Sequence, residues 1–358
     1  MKRILSVIML CLIMALALVG CGTNAPASGT GDTKGKANND VLKVSVAAQN
    51  NSGQVFQYMA EARDFLKEEG IDVNMVYINN GTDAFTALAG GKVDVISTYG
   101  TGGPLIQIAN GQDFTVFGGY MIIGETPCFG KPETEWKNLE SFRGKKIGIT
   151  RGGTPDIVLK GILYDAGLLN SVTFVEYKKN QEVLQAIVSG EVDFGATATG
   201  YELQAAALGL KVKMWPDEYW PNHSCCRMLA TGAWMKDEKN QEALYRLLRA
   251  YLRAEEAMQG NMDEVVDLVV KKLDLDKATV TSFVKSEHMK YDSDPYKNSV
   301  VKMWNKMGNF GYIKDSNVKI EDHINTKIYK KALDSLIKDY PNSQFFKDKL
   351  VQFNQNNA

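Results

Sequence analysis

Residues 222–227 read Asn-His-Ser-Cys-Cys-Arg and set two adjacent thiols beside an imidazole and a guanidinium. His223, Cys225 and Cys226 could serve nucleophilic or metal chemistry. The planar fork of Arg227 could pair with an anion. Three other stretches mix glycine with small polar residues. Asn50-Asn51-Ser52-Gly53 offers amides and side-chain oxygens that can cap a helix or meet a ligand. Thr98-Tyr99-Gly100-Thr101-Gly102-Gly103 allows backbone N–H groups to approach a bound group closely, or simply makes a tight turn. In Thr150-Arg151-Gly152-Gly153-Thr154-Pro155-Asp156 the proline suits a first helical position. Free N–H groups would then face outward with the positive end of the helix dipole. That end suits a sulfonate, nitrate or carboxylate. Asp156 would already use the dipole, however, and could instead pair with a polar or cationic ligand. Without Gly-Lys-Ser/Thr, the stretch does not make a nucleotide-binding P-loop. Thr199 and Tyr201 follow a further strand, and Tyr120 could stack on a planar ligand.

Short apolar runs and amphipathic stretches alternate from residue 41 and position these groups. Residues 41–46 alternate as a strand. Val55, Met59, Ala62 and Leu66 then recur at helical spacing, and Gly70 ends that helix. A strand over 72–78, a turn with Thr82 as cap, a helix over 83–89 and a strand over 93–97 complete the unit. It returns as a strand over 145–149, a helix over 155–166, a strand over 172–177, a helix over 182–188 and a strand over 192–196. Strand–helix–strand alternation predicts parallel pairing with right-handed crossovers. Residues 87–95 and 186–194 each give a short helix, a glycine stop, one charge and a strand carrying aspartate. The unit occurs twice, so two similar lobes are predicted and not a solenoid. From 240 on the chain is helical, with apolar stripes at 244–252 and 265–270 that belong to core. His288 and His323 fall in polar helical sequence and read as surface residues.

The first residues carry a different signal. Lys2 and Arg3 precede an uncharged apolar run from 4 to 19, and Leu18-Val19-Gly20-Cys21 closes it. The run is slightly short for a span and is placed as a secretory signal. Residues 1–20 are therefore expected to be a signal peptide, Cys21 the lipidated residue, and the apolar-poor stretch 21–40 a flexible tether. Beyond it about 338 residues exceed what one core usually serves. The formal net charge of −1 gives no sign of a nucleic-acid partner. Of five cysteines, Cys11 leaves with the signal and Cys21 carries lipid. Cys128, Cys225 and Cys226 are too few for a disulfide scaffold.

Together the lipobox, the order of elements and the runs Ala48-Gln49-Asn50-Asn51-Ser52, 87–97, Tyr99-Gly100-Thr101-Gly102-Gly103-Pro104 and 139–149 resemble one protein family. It is the solute-binding proteins of ABC importers, in the branch handling nitrate, alkanesulfonates, taurine and thiamine pyrimidine precursors (SsuA/THI5-like). The resemblance covers about 41–260. It implies an α/β, periplasmic-binding-protein-like type II fold with two lobes joined by two crossover strands. Lobe one would be 41–123 with 229–358, and lobe two 124–228. Ligand would lie in the interlobe cleft, met by Asn51, Ser52, Tyr99, Gly100, Thr101, Tyr120, Gly152, Gly153, Thr154, Asp156, Thr199, Tyr201 and Arg227. The implied partners are an ABC permease with its cytoplasmic ATPase and the membrane that holds the lipid. The implied chain is a monomer without cofactor, metal or catalytic residue. Two readings stay open at the second crossover. Cys128 could pair with Cys225 or Cys226 across the two crossings. Alternatively His223, Cys225 and Cys226 could act as in pyrimidine-synthase relatives, which carry a richer cysteine run.

Overall fold

The computed structural model describes residues 40–51, 53–313 and 317–358. Cys21 and Ser52 lie outside the described residues. In chain order the elements are β1 (Leu42–Ala48), α1 (Val55–Ala62), α2 (Phe65–Glu68), β2 (Ile71–Tyr77), α3 (Gly81–Ala89), β3 (Val95–Ile96), α4 (Gly102–Ala109), β4 (Phe114–Ile123) and β5 (Cys128–Gly130). There follow β6 (Lys146–Thr150), α5 (Thr154–Asp165), β7 (Thr173–Tyr177), α6 (Asn180–Ser189), β8 (Phe194–Ala196), α7 (Glu202–Ala207), β9 (Lys211–Met214) and β10 (Cys226–Thr231). The remainder is α8 (Glu238–Met258), α9 (Met262–Leu273), α10 (Lys277–Val284), β11 (Lys290–Tyr291), α11 (Lys297–Asn309), α12 (Lys327–Asp339) and α13 (Gln344–Asn356).

Two sheets result. The first runs β11-β4-β10-β3-β1-β2 and the second β7-β6-β8-β5-β9. β1 pairs in parallel with β2 and β3, as β6 does with β7 and β8. The parallel pairing expected of each alternating unit is present, and the repeated aspartate has a structural reason. Asp94 accepts from Ser45 N at 2.7 Å, and Asp193 accepts from Lys146 N at 2.9 Å. Each carboxylate thus satisfies an amide on the neighbouring strand where a short strand begins, which buried backbone groups require. The chain crosses from the first sheet to the second between β4 and β5. It returns between β9 and β10, which runs antiparallel to β4 and β3. Asn222 and Ser224 on the return hold left-handed backbone (φ 53° and 61°). This is a costly conformation for non-glycine residues, and the flanking strands must impose it.

The helix at 81–89 is capped by Asn80, whose Oδ1 accepts from Thr82 N at 2.8 Å, so Thr82 is not the cap. One apolar cluster packs β1 residues Leu42, Val44 and Val46 against α1, α8, α9 and α12. A second runs from Ala47, Ile96 and Val116 of the first sheet to Ile147, Ile149 and Phe194 of the second. It also takes in Met303, Trp304 and Met307 of α11, so the tail packs on both sheets. Lys306 pairs with Asp165 of α5, and Lys160 donates to the Tyr312 hydroxyl at 2.8 Å. Two histidines depart from expectation. His288 is largely buried, stacked 4.0 Å from Trp215 with Nδ1 3.0 Å from Asp217 Oδ2. His323 is half-buried with Nδ1 2.8 Å from Phe114 O. Aromatic stacking and a carboxylate partner make burial of an imidazole inexpensive, and polar sequence around it cannot show that.

Candidate functional site

The strand ends of the two sheets meet along one seam, and a backbone carbonyl stands at its centre. Cys225 O accepts from Thr101 N at 2.8 Å, from Thr101 Oγ1 at 3.1 Å and from Thr154 Oγ1 at 3.4 Å. Thr101 follows β3 of the first sheet, Thr154 opens α5 of the second, and Cys225 lies on the returning crossing. Glycine permits this closeness. A methyl group on Gly100 would lie 2.4 Å from Thr154 Oγ1, and one on Gly102 2.1 Å from Ile157 Cδ1. The outgoing crossing is as tight, since a methyl on Gly124 would lie 2.4 Å from Cys225 Sγ. Thr199 Oγ1 donates to Glu125 O at 2.8 Å and ties the β8–α7 loop to that crossing. Gly100, Thr101, Thr154 and Thr199 are thus brought together.

Other expected site residues are placed differently. Asn51 turns back on its own loop, Oδ1 accepting from Gly53 N at 3.0 Å. Tyr99 is buried, and its hydroxyl donates to Ile78 O at 2.6 Å. Tyr120 lies in the core of the first sheet against Phe56 and Tyr251, its hydroxyl accepting from Gln57 N at 3.0 Å. Tyr201 is half-buried against the apolar cluster of the second sheet. Gly152 N donates to Asp156 Oδ2 at 2.8 Å, and Gly153 N to Thr150 O at 3.3 Å. Asp156 is itself buried, ion-paired to Lys160 at 2.8 Å and accepting from Tyr312. The α5 dipole is therefore met from within. Arg227 is fully buried, donating to Met121 O at 2.6 Å and to Asp294 O over the face of Tyr296.

Cys128, Cys225 and Cys226 are free thiols, so the crossings are not linked by a disulfide. Cys225 and Cys226 Sγ are 3.6 Å apart. Hydrogen bonding from Cys226, helped by His223 and Arg227, holds the Cys225 thiol below its usual range against burial, while Cys226 is pushed up. His223 Nδ1 lies 3.3 Å from Trp220 O. Among the described residues no three His, Cys, Asp or Glu side chains are arranged to hold a metal ion.

Sequence reasoning missed a set of buried polar atoms along the seam that have no hydrogen-bond partner. They are Gln54 Oε1 and Ser97 Oγ beside the first sheet, Thr197 Oγ1 and Glu202 Oε1 beside the second, and Glu125 Oε2 and Thr126 Oγ1 on the crossing between them. Each such group costs roughly 1–3 kcal/mol when left unsatisfied. Isolated cases occur in any protein, whereas a run of them at strand ends on both sides marks a place where hydrogen-bonding matter belongs. One signal was available. Glu125 is the only charged residue in 114–130, an otherwise uncharged run through two strands. Burial raises the Glu125 carboxyl above the usual range, against the opposing pull of Ser286 and His288. Burial and the neighbouring Glu125 push Glu202 up to about 8.

Two α/β lobes, two crossings and a polar seam at the strand ends define the two-lobed binding-protein fold. Solved structures agree. The nitrate-binding protein NrtA of Synechocystis aligns with a TM-score of 0.68 at 13% identity, over 83% of this chain and 89% of that one. The ligand-binding component of an ABC-type import system from Staphylococcus aureus gives 0.67 at 15% identity, over 81% and 99%. The aliphatic sulphonate binding protein SsuA of Escherichia coli gives 0.64 at 17%, over 79% and 92%. A Brucella abortus protein named as a binding protein is 24% identical over 240 residues, 64% of this chain and 70% of its own length. The NMT1/THI5-like family pattern matches residues 51–265, and the chain belongs to that family.

Proposed function

We propose that this chain is the extracytoplasmic solute-binding component of an ABC importer. It closes its two lobes on a small ligand and delivers it to a permease driven by a cytoplasmic ATPase. The class of ligand extends over the nitrate, sulfonate and taurine group and the pyrimidine precursors. A lipid on Cys21, behind a polar tether over 21–40, would keep the monomer beside its permease and raise their effective concentration. The reading takes lobe one as 41–123 with 229–358 and lobe two as 124–228. Its ligand contacts come from the Gly100–Thr101, Thr154 and Thr199 loops, with Asn51 as a further candidate. The observation that carries it is the run of unpartnered buried polar atoms along a seam to which both sheets contribute strand ends. Binding that is tighter in the closed than in the open state would draw the lobes together.

Native mass spectrometry of the purified chain, followed by calorimetry with nitrate, taurine, an alkanesulfonate and hydroxymethylpyrimidine, tests this. One ligand per chain is expected, with a smaller radius of gyration in solution scattering. No co-purifying molecule and no heat from any of the four would count against it. The enzymatic reading of His223, Cys225 and Cys226 is not favoured, because these side chains are buried and a curated relative is named as a binding protein.

A further inference from the structure

We infer that the seam receives a nitrogenous organic cation, an amidinium, guanidinium or protonated amine, seated between the carboxyl groups of Glu125 and Glu202. The inference rests on the binding reading above and sets the ligand's charge against the anionic members of the class named there. Glu125 is 3% exposed and its Oε2 has no partner. Glu202 Oε2 accepts from Gly200 N at 2.9 Å, which leaves Oε1 buried and unpartnered. The Thr199 hydroxyl pins the loop before Glu202 to the Glu125 carbonyl at 2.8 Å, so both acids belong to one rigid junction. Two independent groups add acceptors there. The Thr126 hydroxyl, on a residue 2% exposed, has no partner, and the buried Tyr291 hydroxyl, which feels the charge of Glu125, has none either. A ligand with several N–H donors and one positive charge answers all of these at once.

The devices that would hold an anion are already committed. Arg227 serves backbone carbonyls, Arg151 pairs with Glu176 at 2.6 Å, and Lys160 pairs with Asp156. Asp156 also occupies the amide at the start of α5. Burial raises both carboxyls, and the charge of Glu125 raises Glu202 further, a state that a cation relieves and an anion would worsen, while Ser286 and His288 partly offset the rise at Glu125. The other titratable groups facing this junction are His288, held by Asp217 and stacked on Trp215, and Tyr291.

The test uses the full chain and four probes, benzamidinium, agmatine, nitrate and methanesulfonate, by titration calorimetry at pH 7 in two buffers of different ionisation enthalpy. At least one cation is expected to bind and to release protons, since Glu202 must ionise to pair with it. Glu125→Gln and Glu202→Gln should each weaken that binding at least about tenfold. Glu202 is partly exposed, so its variant keeps the test open if Glu125→Gln fails to fold. Binding of an anion with an affinity that neither substitution changes would overturn the inference and leave the binding reading standing. Heat from neither cation would overturn the inference, whatever the anions do, while the binding reading stands or falls on its own test above.

Discussion

Gly102→Ala isolates closure from folding. Gly102 opens α4 on the chain of the first sheet, and Ile157 lies in α5 on the chain of the second. A methyl group on Gly102 would fall 2.1 Å from Ile157 Cδ1 and 3.3 Å from Gly152 O. Ile157 is fully buried and has little room to yield. Overpacking of this kind costs about 1–3 kcal/mol. If α4 and α5 meet only when the lobes close, that cost falls on the closed state alone. It then appears as a loss of ligand affinity of roughly 5- to 150-fold, at 1.4 kcal/mol per decade. Gly103→Ala is the matched control. Its methyl would meet Phe85 Cε2 at 2.7 Å, a contact within one side of the seam. It should lower the thermal midpoint and leave affinity within about twofold. Calorimetry with the ligand that binds wild type, together with scattering at saturation, measures both variants. Unchanged affinity and full compaction in Gly102→Ala would refute the reasoning, as would equal affinity losses in the two variants.

Three further outcomes are expected. Lys349→Met would leave Glu255 and Asp292, now 2.5 and 2.7 Å from its ammonium, buried and unpaired; urea denaturation should show a loss of about 3–5 kcal/mol. Glu202 has a folded-state value of about 8 against an ordinary 4.5, so the native chain binds more protons than the unfolded one between those limits. Stability attributable to it is full below about 4.5 and declines as pH rises towards 8, by at most about 1.4 kcal/mol per pH unit; unfolding curves across that range should flatten in Glu202→Gln. Cys21→Ala should move the protein from the membrane to the soluble fraction with ligand affinity unchanged, as read by fractionation and calorimetry.

The alternating pattern was legible because buried parallel strands and amphipathic helices leave period in the sequence. The repeated Val-Asp units even foretold a pair of equivalent positions, now seen as Asp94 and Asp193 on neighbouring strand amides. The seam was harder. Its hub is the carbonyl of Cys225, and a carbonyl belongs to every residue, whereas the thiols beside it stand out by type. Arg227 reads equally well as a ligand counterion or as a structural donor. Only the approach of Asp292–Asp294 from the tail decides between them. The role of Tyr120 depended on which side of β4 faces α1 and α8, and both sides of that strand are buried. No periodicity distinguishes the two.

The tail would constrain the proposed closure. Helix α5 presents Ile157 and Thr154 to the seam, packs on the second sheet, and also meets the tail, through Lys306 to Asp165 and Tyr312 to Asp156. The Lys306 pair has a half-exposed partner and contributes at most about 1 kcal/mol. Parting Tyr312 from α5 would leave the Asp156–Lys160 pair intact but remove the hydroxyl that both groups share. If the lobes part, the buried packing of Met303, Trp304 and Met307 on α5 would carry α11 with lobe two, apart from the rest of 229–358. The residues on either side of it are fixed to the first sheet, where Gly119 N donates to Ser293 O at 2.7 Å and Asn325 N to Val116 O at 2.7 Å. Motion between the lobes must then be absorbed at the ends of α11 as well as at the two crossings. One end already carries Tyr296 at a φ of 49°, a conformation the chain holds only because its neighbours impose it. Were the lobes to open, two crossings with a third strap from the tail would limit the range, because every angular change would have to be accommodated in three places at once.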